Sequence, residues 1–180
     1  MASSSLTDIK RYHQVFPSFH GPDVGREFLN HVQNQFARKG MRTFNDQGIE
    51  RSHTIGPEVV QGIRESKVSI VVLSPNYASS RWCLDELVEI IKCKETSEEM
   101  IVMPIFNRVS PSNVRIQNGA FGKAFDKTCE GETKEVKKRW SNALTHVGSL
   151  RGDYALLWDD DAKMLEDIAT HVSLILKDKC

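Results

Sequence analysis

The run Val68-Ser69-Ile70-Val71-Val72-Leu73 constrains the fold more than any other stretch of the chain. It is nearly continuous in β-branched and apolar side chains, the pattern of a strand buried on both faces in the middle of a parallel sheet. Sheets of that kind need helices on both sides, so helical periodicities are expected before and after the run. They are present. Gly56-Pro57-Glu58 opens one helix, with proline in the first turn, where its missing N–H costs nothing. Ser74-Pro75 is expected to repeat the device, and Ser79 or Ser80 to cap a longer helix carrying Leu84, Leu87, Val88 and Ile91.

The alternation extends in both directions. A first strand is expected near Tyr12 to Phe19, with Pro17 marking its end because proline cannot donate to a ladder. A helix follows with Phe28, Leu29, Val32 and Phe36 on one stripe and Gly40 as its stop, and then a short strand over Met41 to Phe44. Met100 to Phe106 is a fourth strand and Tyr154 to Trp158 a weak fifth. Helices are placed near Ala120 to Cys129 and Glu132 to Val147, and a last one carries Met164, Ile168, Val172 and Ile175. The reading is an α/β chain with one domain over residues 12–177, a flexible segment over 1–11 and a tail over 178–180.

Bulk properties remove several function classes. The 180 residues suffice for one core, and 39% hydrophobic with 27% charged residues describes an ordinary globular protein. Lysine plus arginine balance aspartate plus glutamate at 24 each, which argues against a general electrostatic grip on nucleic acid or anionic lipid. Cys83, Cys93, Cys129 and Cys180 form no C-x-x-C pair, and no histidine lies at ligand spacing, so neither a zinc site nor a disulfide framework is indicated. A reduced compartment fits this, and no run approaches the ~20 apolar residues of a membrane span. The expected location is cytoplasmic or nucleocytoplasmic. No G-x-x-x-x-G-K-[ST] phosphate loop occurs.

A flavodoxin-like strand order, 2-1-3-4-5, would make the first and third strands neighbours and open a crevice at their carboxyl ends. Phe19-His20-Gly21 and the segment from Ser74 onward would line it. Those segments carry a specific resemblance. Val15-Phe16-Pro17-Ser18-Phe19-His20-Gly21-Pro22-Asp23 resembles the opening V-F-x-S-F-R-G-x-D of plant TIR domains, and Asn76 to Leu87, containing Trp82-Cys83-Leu84-Asp85-Glu86-Leu87, resembles their W-C-L-x-E-L stretch. Ile49 to Glu58 is similar to the mobile loop after the family's second strand. Met103-Pro104-Ile105-Phe106, Val109 to Arg115 and Gly119-Ala120-Phe121-Gly122 are similar to the family's fourth strand and its loop. The motifs run in the family's order from about Tyr12 to Ile175.

The resemblance implies a five-stranded parallel sheet with helices on both faces, and an NAD glycohydrolase whose catalytic carboxylate is Glu86. The chemistry is sound: losing nicotinamide from ribose leaves an oxocarbenium-like sugar, and a carboxylate beside it stabilises the developing charge. Residues four apart on a helix share a face, so Trp82 and Glu86 can look toward the crevice while Leu84 and Leu87 look toward the sheet. Trp82 offers a flat ring to a base, Ser80 and Cys83 offer polar contacts, and Phe19, His20, Gly21 and Arg51 complete the expected substrate set. Each has a plainer explanation. Glutamate is common on exposed helix faces, tryptophan is as often a core anchor, a cysteine is more often a buried small hydrophobe, and Arg51 fits a solvated loop charge.

His20 stands where the family usually has arginine, a permanently charged fork suited to a diphosphate; Pro22 replaces a commonly acidic residue and Ser52 a glycine. These departures bear on affinity, loop mobility and turnover, and leave the carboxylate in place. The family's assembly habit implies self-association, with Asn30-His31 at the position of a common serine-histidine pair. It further implies NAD+ as substrate with no tightly bound cofactor, a divalent cation being admissible. The downstream partner implied is a lipase-like immune heterodimer reached through a nucleotide product, with no membrane and with nucleic acid engaged only in a filament. Two other functions stay open: a non-enzymatic adaptor, and a cyclic nucleotide synthetase acting on nucleic acid.

Overall fold

A computed structural model describes residues 14–25, 27–44, 55–151, 153–155 and 161–178, with side chains described up to 151 and over 165–175. Five strands form one parallel sheet: β1 (Gln14–Ser18), β2 (Arg42–Thr43), β3 (Val68–Leu73), β4 (Ile101–Asn107) and β5 (Asp153–Ala155). Their order is β2-β1-β3-β4-β5, so the expected fold class stands. The helices are α1 (Gly21–Val24), α2 (Phe28–Ala37), α3 (Pro57–Glu65), α4 (Arg81–Thr96), α5 (Pro111–Ile116), α6 (Gly119–Cys129), α7 (Lys134–Gly148) and α8 (Asp161–Asp178). A 3-10 turn, Tyr77–Ser79, leads into α4.

All six residues of β3 are buried, as its composition demands. Val68, Ile70 and Val72 join Val15, Phe28, Val32, Phe36, Leu165, Ile168 and Val172 in a core under α2 and α8. Val71 and Leu73 point the other way, into a larger core with Phe16, Val59, Ile63, Leu84, Leu87 and Leu144 under α3, α4 and α7. Burying each such side chain contributes roughly 1.5–3 kcal/mol, so a polar replacement at an apolar position of β3 weakens the layer that side chain faces. Gly40, at φ +75°, supplies the left-handed residue that lets the chain turn from α2 toward β2.

Pro17 lies inside β1 and does not end it. The carbonyl of Gln14 accepts from Lys67 N–H on the β3 side at 2.9 Å, and that of Val15 accepts from Phe44 N–H on the β2 side at 2.8 Å. Backbone groups alternate sides along a strand, so Pro17 faces the β2 side, which is paired only as far as Val15. Its missing donor is needed nowhere, while its other edge stays in register with Ile70. Ser74-Pro75 likewise departs from expectation, opening a turn and the 3-10 segment rather than an α-helix. The reason is Asp23, which takes both the Ser74 hydroxyl and the Asn76 N–H. The unexpected α5 uses the device Ser74-Pro75 does not: the Ser110 hydroxyl accepts from Asn113 N–H at 3.1 Å, and Pro111 follows. Ser80, rather than Ser79, caps α4, accepting from Cys83 N–H at 3.2 Å.

Candidate active site

Glu86 sits on the second turn of α4, facing the carboxyl end of β1, and only 3% of it is exposed. Both carboxylate oxygens are held. The Ser18 hydroxyl, from the last residue of β1, donates to Oε1 at 2.8 Å, and the Trp82 indole Nε1–H donates to Oε2 at 2.8 Å. Ser18 Oγ is also 2.8 Å from the Tyr77 hydroxyl, whose single proton is shared between Ser18 Oγ and the Cys83 carbonyl 3.0 Å away. Burial foremost, then the neighbouring Cys83 and Glu86, pushes the Tyr77 phenol well above its ordinary pKa, so it stays neutral.

The i, i+4 spacing of Trp82 and Glu86 is thus realised as a direct bond. Both nevertheless lie beneath the surface: Trp82 is 5% exposed and packs in the larger core. Cys83 is fully buried and its thiol donates to the Phe19 carbonyl at 3.4 Å, while Ser80 is engaged as the cap of α4. Phe19 is half-buried, edge-on to Phe28 with ring centroids 4.9 Å apart. Gly21 begins α1, and a side chain there would meet no atom within 4 Å. His20 stands just before it, Nδ1 3.6 Å from Asp23 Oδ2. Arg51 and Ser52 lie outside the described residues.

Asp23 joins the two lips of the expected crevice. Its carboxylate accepts from Ser74 Oγ at 2.5 Å, Asn76 N at 2.7 Å and Asn76 Nδ2 at 2.9 Å, tying the loop after β1 to the loop after β3. Burial acts to raise its pKa. The bonds from Ser74 and Asn76, with His20 nearby, outweigh it, and the group is held below its ordinary value. Behind α4, Trp140 Nε1 of α7 donates to Asp85 Oδ1 at 2.9 Å, and Arg81 pairs with Glu132. Burial, the leading influence, raises the Asp85 carboxyl despite Trp140 and Arg139.

Sequence reasoning places Ser18, Asp23 and Tyr77 within their motifs and gives them no role. The available signal is a hydroxyl or carboxylate recurring where a core would take an apolar residue. Asn30 and His31 are not part of this cluster. They lie on α2, on the other face of the sheet, Asn30 exposed and His31 Nε2 3.9 Å from Glu27 Oε2. A cavity of about 480 Å³ opens at the opposite end of the strands, lined among others by Arg64, Lys67, Glu89, Lys92 and Cys93. Its Arg64–Glu89 and Lys67–Glu99 pairs, 3.2 and 3.6 Å apart, leave it unlike a ribose pocket, and Glu86 does not line it. Among the described residues no three His, Cys, Asp or Glu side chains converge as metal ligands, and no helix is long and apolar enough to cross a membrane.

The family model for the TIR domain matches residues 12–179. The chain belongs to the TIR domain family. It is 52% identical over 174 residues to disease resistance protein RML1A of Arabidopsis thaliana, covering 96% of this chain and 17% of that protein. Probable disease resistance protein RPP1 of the same plant is 52% identical over 175 residues, covering 96% and 15%. The TIR domain here therefore spans less than a fifth of the length of either relative. Among solved structures, the TIR domains of the activated Roq1 resistosome, which directly recognises the pathogen effector XopQ, superpose with a TM-score of 0.74 at 37% identity. That match covers 89% of this chain and 99% of the other. The RPS4 and RRS1 TIR domain heterodimer, at 17% identity, TM-score 0.50 and coverage of 90% and 96%, supports the fold alone. This is a plant-type TIR domain of the kind carried by disease resistance proteins.

Proposed function

We propose that this TIR domain hydrolyses NAD+ when self-assembled, with Glu86 as the carboxylate that stabilises the ribosyl cation. One observation supports the reading above the others: Glu86 is a buried carboxylate, at the carboxyl end of the sheet, whose two oxygens are oriented separately by Ser18 and Trp82. A carboxylate kept in a low-dielectric setting with its direction fixed does more for a developing positive charge than one in water. The bond between ribose C1′ and the nicotinamide nitrogen breaks, its electron pair leaving with the base. Water then adds at C1′ and loses a proton, giving ADP-ribose, nicotinamide and H+. No tightly bound cofactor takes part.

Trp82 is the shallower of the two partners, so substrate reaches Oε2 by taking the place of the indole N–H, with Phe19, His20 and Gly21 as its expected contacts. In a resistosome-like assembly of copies, the nucleotide product would act in the cytoplasm on a lipase-like immune heterodimer. The burial of Glu86 also favours a second reading, a non-enzymatic adaptor that makes only TIR-to-TIR contacts. Purified protein at high concentration, wild type beside Glu86→Ala, separates the two. NAD+ loss that falls at least a hundredfold in the variant, about 3 kcal/mol of transition-state stabilisation, supports the enzyme. Assembled wild-type protein that leaves NAD+ intact supports the adaptor.

A further inference from the structure

We propose that Ser18, braced by Tyr77, is the positioning residue that aims the Glu86 carboxylate in the reaction above; the inference rests on that reading of Glu86. Ser18 is the last residue of β1, fully buried and in register with Val71 of β3, so the sheet ladder and not a loop sets its place. Its hydroxyl meets Oε1 of Glu86 and the Tyr77 hydroxyl, each at 2.8 Å. With the Ser18 proton given to Glu86, the Tyr77 hydroxyl is the donor to Ser18 Oγ, and it also lies 3.0 Å from the carbonyl of Cys83, one turn before Glu86 on the same helix. The contacts close a ring that runs from strand to helix to 3-10 turn and back to the strand.

A glutamate has three side-chain torsions, and a misplacement of 1 Å at a reacting group can cost about a hundredfold in rate. The ring removes that freedom at Oε1 and leaves Oε2, under Trp82, as the oxygen that substrate can reach. Packing does not explain the hydroxyls. Tyr77 and its neighbours Phe16, Val71 and Leu87 belong to an apolar cluster, where alanine and phenylalanine would fill the same space without polar groups to satisfy. A structural pair of this kind can be replaced jointly at little cost, whereas a positioning pair cannot.

The test uses Ser18→Ala, Tyr77→Phe and the double variant, under conditions in which the wild type is assembled. Ser18→Ala is expected to lower kcat tenfold or more with KM for NAD+ within twofold of wild type. Tyr77→Phe, acting through Ser18, lowers kcat about threefold, and the double variant matches Ser18→Ala rather than the product of the two. Unchanged kcat in Ser18→Ala, or a loss confined to KM, overturns the proposal. Should Ser18→Ala fail to fold, Tyr77→Phe alone decides by the same split. A readout independent of turnover is the indole N–H resonance of Trp82, identified by its absence in Trp82→Phe. Releasing Oε1 reorients the carboxylate on Oε2, so this resonance moves in Ser18→Ala; an unmoved resonance overturns the bracket whether or not NAD+ is consumed. A wild type that consumes no NAD+, together with a resonance that still moves in Ser18→Ala, removes the enzymatic reading and leaves the bracket standing.

Discussion

The Trp82 indole N–H and Oε2 of Glu86 are bonded at 2.8 Å across one turn of α4. The ring expected to offer a stacking face thus meets the carboxylate through its edge, while its own surface is almost wholly covered. Trp82→Phe deletes the donor and trims the indole to a phenyl ring. Removing a bond to a charged group is expected to cost about 1.5–3 kcal/mol in urea unfolding. KM for NAD+ is expected to stay level or fall, since substrate no longer has an N–H to displace. A raised KM would mean that the indole itself holds the nucleotide.

Asp23→Asn tests the tie between the loops after β1 and β3. The amide cannot accept all three bonds, and a loss of about 2 kcal/mol is expected at pH 7. The folded-state pKa is lowered, so this stabilisation is fully present above the ordinary aspartate value of 3.8 and disappears as pH falls through the folded one. Thermal melts of wild type and variant should therefore be well separated at pH 7 and converge in acid. Equal melting at pH 7 would show that the tie contributes nothing.

For Asp85 the sign is opposite. Burial raises its carboxyl, so the folded state favours the protonated form and loses stability as pH rises through the folded pKa. Trp140→Phe removes the N–H that offsets this burial. The variant should lose about 1–2 kcal/mol at pH 7 and less at pH 3.5. A cost that does not change with pH would assign the effect to packing of the indole.

His31 lies on α2, half-buried, with Asn30 exposed beside it, on the layer formed with α8. His31→Ala is expected to weaken self-association at least fivefold by sedimentation while changing the melting temperature little. NAD+ loss should fall in parallel at concentrations where the wild type is only partly assembled. Wild-type sedimentation would remove this surface from the assembly.

Which features are legible in the chain depends on their range. The β3 run declares itself because five of its six side chains are apolar, and the Trp82–Glu86 pair because four-residue spacing is a local rule. Ser18 and Glu86 are 68 residues apart and Asp23 and Ser74 are 51 apart, and no periodicity links them. The burial of Glu86 is hidden for that reason: α4 shows a carboxylate among leucines, while the donor that makes burial tolerable comes from β1. Pro17 reads as a strand end from local rules because one edge of β1 is unpaired where it stands, which depends on how far β2 extends. Helix α5 escapes the periodicity because Val114 is its one buried residue, too little for a stripe.

Asp85 and Glu86 are adjacent in sequence yet anchored in opposite directions, one to Trp140 on α7 and the other to Ser18 on β1. Rolling α4 about its axis either way would strip one of them of its partner. The two bonds together resist rotation of α4, so a contact made on the outside of α7 by a neighbouring molecule would reach the Glu86 carboxylate by shifting α4 bodily against the sheet.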